Sequence, residues 1–354
     1  MSSAPSARLP PERGGAAAAA PLAAWQRVHD AVGPDCKWGP EAHALPPEFV
    51  ESEGPAVQAK ASRALQDRAG KATLAACDTT TIEGKRRAAG LRSSSGGAAS
   101  AWLDPAHGAL RVSDEAFTTA GRHRVGLGLQ SSVEPLPCTC AGGDAARPDH
   151  AMVCAHCSGE RNLRHEIEAA AWRHCIRRAG CAVSAEPYYA GARAANAPLA
   201  GDERARRGDI VAVMPGGSLI VADVVVTHAQ AASYVDAAAH TTGATAAAAE
   251  RRKRAALADI VESGGYDFWP LATESHGLHG KSARSFVSKL GKIAERGGAS
   301  RAAFVRSVYQ ELSVALVRGQ ARVYDASLER VARAMGRAFE HGSHVVLEDA
   351  CREC

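Results

Sequence analysis

The chain has 354 residues, 46% hydrophobic but only 5% aromatic, and 42 lysines and arginines oppose 38 acids for a net charge of +4. That length allows two domains of roughly 100–200 residues each. The charge is too mild to define a nucleic-acid binder, and no run of about 18 apolar residues exists that could span a membrane. The N-terminal stretch has prolines and glycines but no apolar core of a secretory signal, so the ten cysteines read as reduced thiols or metal ligands rather than disulfides.

Residues 1–24 read as disordered, and 55–90 as helical without a firm apolar stripe, because Leu65, Leu74 and Ile82 are too sparse to define one. After a Ser/Gly break at 93–97, Ser113 is placed to cap a helix carrying Phe117, its hydroxyl accepting an open N–H of the first turn. The clearest helix pattern lies at 160–179. There Leu163, Ile167, Ala170, Ala171 and Cys175 recur at three- and four-residue spacing, and Gly180 stands where a left-handed residue would end the helix. Residues 182–186 form a short predicted strand and 190–207 a mobile loop. Strands over 209–214 and 219–226 are joined by the turn Pro215-Gly216-Gly217-Ser218, and the second is apolar enough to be buried on both faces. A helix follows over 244–263, then a strand over 266–271 whose Pro270 suggests an edge or an end. Helices over 280–296, 300–318 and 327–340 complete the chain. This order predicts an α/β (α+β) fold, a small mixed sheet with helices on its faces, its core spanning about 160–295.

Two constellations carry chemistry. Cys138, Cys140, His150 and Cys154 place four soft or borderline donors in a short loop-borne segment, as a tetrahedral Zn²⁺ ion requires. Cys157 and His156 are spare donors, and the alternative is a reduced, metal-free set. The terminal Cys351–Cys354 pair lacks two further donors and reads as incidental. On the predicted hairpin, Asp209 and Asp223 are separated by thirteen residues with a turn between, which brings both carboxylates to one end of the sheet. Asp223 is the lone charge in an apolar strand, costly to bury unless it is paired or holds a metal. Two readings stand: an Mg²⁺ or Mn²⁺ site, or a structural ion pair with Arg164 or Arg207. Glu166 and Glu168 flank the apolar stripe of the 160–179 helix, so either can face the sheet. Arg251, Arg252, Lys253 and Arg254 form a basic run, either a solvated helix face or a phosphate contact.

Taken in order, several segments resemble the region after the reverse transcriptase in non-LTR retrotransposon polyproteins. They are Ser95–Leu103, Leu110–Phe117 with Arg124–Leu129, the Cys138–Cys154 knuckle, Arg164-His165, Arg207-Gly208-Asp209, Val221–Val226, Glu250–Arg254, Phe268–Leu271 and Leu312–Gly319. The resemblance covers about residues 90–320. It implies a helical linker like the end of a reverse transcriptase over 91–137, after a disordered to helical region over 1–90. A zinc knuckle over 138–157, a restriction-like PD-(D/E)xK endonuclease core over 158–296 and a helical tail over 297–354 would follow.

On that resemblance Asp209 and Asp223 are the catalytic acids holding Mg²⁺ or Mn²⁺, although Gly208 stands where the family has proline. Val225 stands where the family has lysine, and Lys253 is the nearest replacement. Glu166 falls on a polar position after Arg-His and is favoured over Glu168. Arg161, Arg164, Arg251, Arg252 and Arg254 would hold the phosphate backbone. The implied partner is DNA, with RNA as a second candidate, in the nucleus, and neither a membrane nor a small-molecule substrate is expected. No Tyr-x-Asp-Asp-like polymerase box occurs, so the expectation is a truncated element or a gene derived from one, active as a nuclease or retained only for binding.

Overall fold

The structure, a computed structural model, describes residues 69–104, 110–127, 138, 140, 147–184, 208–256, 258 and 267–334. The expectations for residues 1–24, 190–207 and the terminal cysteines lie outside them. The chain divides into two compact units, Met1–Ala76 and Cys77–Cys354, and the fold belongs to the second.

That unit is a mixed α/β structure around one four-stranded sheet of order β1-β2-β3-β4, comprising β1 (Ala182–Ser184), β2 (Ile210–Val213), β3 (Leu219–Thr227) and β4 (Asp267–Glu274). The first three strands are antiparallel. β4 lies parallel to β3 along its whole length, Ile220 opposite Asp267 and Thr227 opposite Glu274. The tight turn between β2 and β3 uses Gly216 and Gly217 at φ 106° and 88°, values glycine adopts without a Cβ clash. The parallel step from β3 to β4 needs a crossover, and it carries helices α5 (Val235–His240) and α6 (Ala244–Ala256).

Alternation along β3 sorts its side chains onto two layers. Ile220, Ala222 and Val224 enter the main core with Trp172, Ile176, Leu271, Phe286, Leu290 and Leu312. These come from α4 (Ser158–Arg178), β4, α7 (Lys281–Arg296) and α8 (Arg301–Ala334). Val225 faces the other way, against Ala246, Ala249 and Ala272, so α6 covers the face that also carries Asp223. Buried carboxylates fix α6 from both sides. Glu274 Oε1 accepts the Ala246 N–H at 3.0 Å, and Glu250 Oε1 accepts the Ser282 N–H at 2.9 Å, satisfying open donors in the first turns of α6 and α7. Gly280 makes room for the second contact, because a Cβ there would lie 2.0 Å from Glu250 Oε1.

Before the sheet come α1 (Ile82–Ser93), a 3₁₀ helix (Gly97–Leu103), α2 (Asp114–Val125) and α3 (Pro148–Val153). Ser113 caps α2 as its sequence predicts, accepting from Ala116 N at 3.3 Å, and Gly126 ends that helix at φ 78°. Three buried histidines tie this region to the sheet. His123 Nδ1 and the Tyr324 hydroxyl share a hydrogen bond of 2.7 Å, His228 Nδ1 and Ser275 Oγ one of 2.8 Å, and the His123 and His276 rings lie 4.1 Å apart. Burial holds all three well below the usual histidine pKa.

Two expectations are corrected. Helices over 300–318 and 327–340 form one continuous helix, α8, through residue 334, and its first half brings Phe304, Val308 and Leu312 into the main core. Gly319 does not break it. A Cβ at that position would meet Arg164 Cγ at 2.7 Å, so the glycine serves a close approach of α4 to α8. The buried face of α4 is also rotated from the expected one. It consists of Arg164, Glu168, Ala169, Trp172, Cys175 and Ile176, whereas Leu163 is 48% exposed and Ala170 is exposed. Arg164 and Glu168 share this face, so apolar periodicity alone misplaces it. Among the described residues, no helix is long and apolar enough to cross a membrane.

Candidate functional site

The register of the hairpin sets Ile210 opposite Ala222, which places Asp209 beside Asp223 at one end of the sheet. Asp209 Oδ2 accepts the Val224 N–H at 2.7 Å and lies 3.1 Å from His165 Nε2, which also lies 3.0 Å from the Val224 carbonyl. Asp223, its side chain 3% exposed, pairs with Lys253 Nζ at 2.9 Å. The structural partner of Asp223 is thus Lys253 rather than Arg164. The side chain expected to replace the strand lysine arrives from α6 over the face that Val225 shares.

The two acids titrate in opposite directions. Burial drives the Asp223 carboxyl up to about 7, with the Asp209 charge adding and Lys253 opposing. Burial also acts to raise Asp209, but the hydrogen bond and charge of His165 and the Val224 N–H outweigh it and hold the group below its ordinary value. His165 is pushed up to about 9, chiefly by its bond to Asp209 and against its own burial. Near neutral pH the pair therefore consists of an ionised acid clasped by an imidazolium and an acid close to half protonation. Their oxygens are the donors that a hard divalent cation prefers, although Asp209 Oδ2 is already committed to two hydrogen bonds.

The remaining expected residues separate. Glu166 is on the surface, its side chain 65% exposed, with Oε1 3.6 Å from His165 Nδ1 and Oε2 3.9 Å from Arg173. Glu168 is the acid that faces inward. It is fully buried, without a hydrogen-bond partner at either oxygen, and burial lifts it to about 8 despite nearby Arg164 and His165. Arg164 is 4% exposed, with one guanidinium N–H 2.9 Å from Met152 Sδ, so it is an interior group and not a surface phosphate contact. Its stem crosses Gly319, which draws it inside. Arg161 donates to the Cys154 carbonyl, Arg252 to the Tyr234 hydroxyl at 2.7 Å, and Arg254 to Ser282 Oγ at 3.1 Å. Arg251 is exposed. Sequence reasoning gave His165 no role of its own. Its position beside Arg164 in the quoted Arg-His pair was the available signal, but only the packing of α4 on β3 brings it to Asp209.

The second constellation is a Cys₃His cluster. Donor atoms of Cys138, Cys140, His150 and Cys154 all lie within 4.8 Å of one another, with Cys138 Sγ 3.7 Å from Cys154 Sγ and Cys140 Sγ 3.3 Å from His150 Nε2. α3 begins at Pro148, whose missing N–H costs nothing at that position. The helix presents His150 and ends at Cys154. Burial opposes ionisation of Cys154, but the His156 N–H and the neighbouring thiols outweigh it and lower its pKa, which favours the thiolate a metal needs. Donor number, softness and spacing fit Zn²⁺. Cys157, the spare donor, is buried and takes a hydrogen bond from Arg330 at 3.2 Å instead. The cluster packs on Val323 and Tyr324 of α8 together with Met152, so the metal would staple α3 to that helix. Full-length protein should carry about one zinc ion per chain by elemental analysis. Cys154→Ser should lose it, with a lower melting temperature; a metal-free wild type would refute the zinc assignment.

No protein-family model and no curated protein matches this chain.

Proposed function

We propose that the chain is a divalent-metal-dependent DNA endonuclease of the restriction-like kind, related to those of non-LTR retrotransposons and acting in the nucleus. The observation that carries the reading is the Asp209–Asp223 pair with Lys253 Nζ 2.9 Å from the second acid. The succession of a helix, three antiparallel strands, a helix and a parallel fourth strand supports it, since a PD-(D/E)xK core is built in that order.

On this reading Asp209 and Asp223 hold Mg²⁺ or Mn²⁺ at the end of the hairpin. Such an ion, when bound, activates water and draws charge from the phosphate. His165 keeps Asp209 ionised and fixed in direction. Lys253 offers a cation to the developing charge on the phosphoryl oxygens. Arg161, Arg252 and the exposed Arg251 supply salt-dependent contacts to the nucleic-acid backbone. The Cys₃His segment, adjoining the first turn of α4, would keep that helix and His165 in place.

A second reading, binding of DNA or RNA without cleavage, draws on Val225 in place of the strand lysine and on the hold of His165 on Asp209. Zinc-loaded full-length protein incubated with supercoiled plasmid and Mg²⁺ or Mn²⁺ separates them. We expect nicked circles from the wild type and none from Asp209→Ala/Asp223→Ala. Intact plasmid with retained binding would favour the second reading.

A further inference from the structure

Beside the carboxylate pair, α4, the end of β3 and α6 enclose a cavity of about 390 Å³. Its rim carries Arg161, Arg252 and Lys253, and its floor is formed by Arg164, Thr227 and His228. No acid lines it. Arg164 Nε, Thr227 Oγ1 and His228 Nε2 are each buried without a hydrogen-bond partner, in residues 4–6% exposed. A buried donor left unpaired costs roughly 1–3 kcal/mol, so three converging on one floor call for a ligand that accepts from them. His228 Nδ1 is engaged with Ser275 Oγ at 2.8 Å; when it accepts from that hydroxyl, the proton sits on Nε2, directed at the cavity. All three floor groups can then donate.

We propose that this cavity is a phosphate pocket, taking the phosphate of one nucleotide of a nucleic-acid strand that runs past the carboxylate pair. Arg164, Thr227 and His228 would bind the phosphate oxygens from below, and Arg161 and Arg252 would compensate its charge from the rim. The volume lies within the roughly 300–1,000 Å³ of small-molecule pockets, room for a sugar as well as a phosphate. His165 and Val224, which hold Asp209, also line the cavity, so occupied pocket and carboxylates would engage neighbouring stretches of the same strand. The identity of the strand as substrate rests on the nuclease reading; the pocket rests on its own donors.

The test is made on full-length protein without added divalent metal, so that no cleavage contributes. Calorimetry should show binding of inorganic phosphate and of thymidine 5′-monophosphate, but not of thymidine. Thr227→Val, which keeps the side-chain shape, should weaken both by about tenfold or more, as loss of a hydrogen bond to a charged group implies. Excess thymidine monophosphate should displace a short fluorescent single strand. Equal binding of thymidine and its monophosphate, or unaltered affinity in Thr227→Val, would overturn the pocket. Phosphate binding without displacement of the strand would overturn its assignment to nucleic acid. Absence of plasmid nicking with all binding results intact would remove the nuclease reading alone.

Discussion

Between pH 6 and pH 4.5 the protein should lose about 2–3 kcal/mol of folding stability per pH unit. His123, His228 and His276 are held neutral by burial, and burial also holds His279 down at about 4. In the unfolded chain these groups protonate below about pH 6.5. Their stabilisation is therefore complete above that pH and drains away as acid is added. Asp223 and Glu168 act in the opposite sense. Raised to about 7 and about 8, they carry protons in the folded state over a range where the unfolded carboxyls are already ionised. Four histidines against two carboxyls leave about two protons in favour of unfolding, near 1.4 kcal/mol each per pH unit. His165, raised to about 9, is protonated in both states here and contributes nothing to the slope. Urea melts at pH 7, 6 and 5 measure it, and equal midpoints at all three would show that the buried histidines do not remain neutral.

Asp223→Asn should stabilise the protein by about 1–3 kcal/mol at pH 8 without added divalent metal, and by little at pH 4, while abolishing cleavage. A carboxyl buried against a second acid stabilises the fold only while it holds its proton, so its contribution falls as pH rises through about 7. Asparagine has no charge to desolvate, and Lys253, partly exposed, can turn to water once released. Lys253→Met should act in the reverse direction at pH 8, leaving the Asp223 charge without its partner. Denaturant midpoints of both variants across pH give the comparison. A less stable Asp223→Asn at pH 8 would mean that the Lys253 pair outweighs the cost of burying the acid.

The sheet was legible because its signals are local. The β2–β3 hairpin is marked by a Pro-Gly-Gly-Ser turn between apolar runs, and residue count alone brings Asp209 to Asp223. The Cys₃His cluster was legible from donor spacing. The buried face of α4 was not, because two of its members, Arg164 and Glu168, are charged, and a hydrophobic pattern assigns charged residues to water. The continuity of α8 was hidden for a related reason: Gly319 resembles a helix end in sequence but fills a close contact in three dimensions. Thr227 and His228 gave no signal, since their open hydrogen-bonding atoms are a property of the assembled interior.

The carboxylate contacts on α6 have an evolutionary reach. With Glu274 holding its first turn and Glu250 tying it to α7, the ammonium of Lys253 is delivered to Asp223 whatever side chain occupies position 225, provided that side chain fits against alanine. A lysine on the strand is then dispensable, and substitution there is free to drift toward small aliphatic residues. Relatives that made the same exchange would escape any linear pattern of aspartate, one residue and lysine. A spatial template of two carboxyls and one ammonium would still retrieve them.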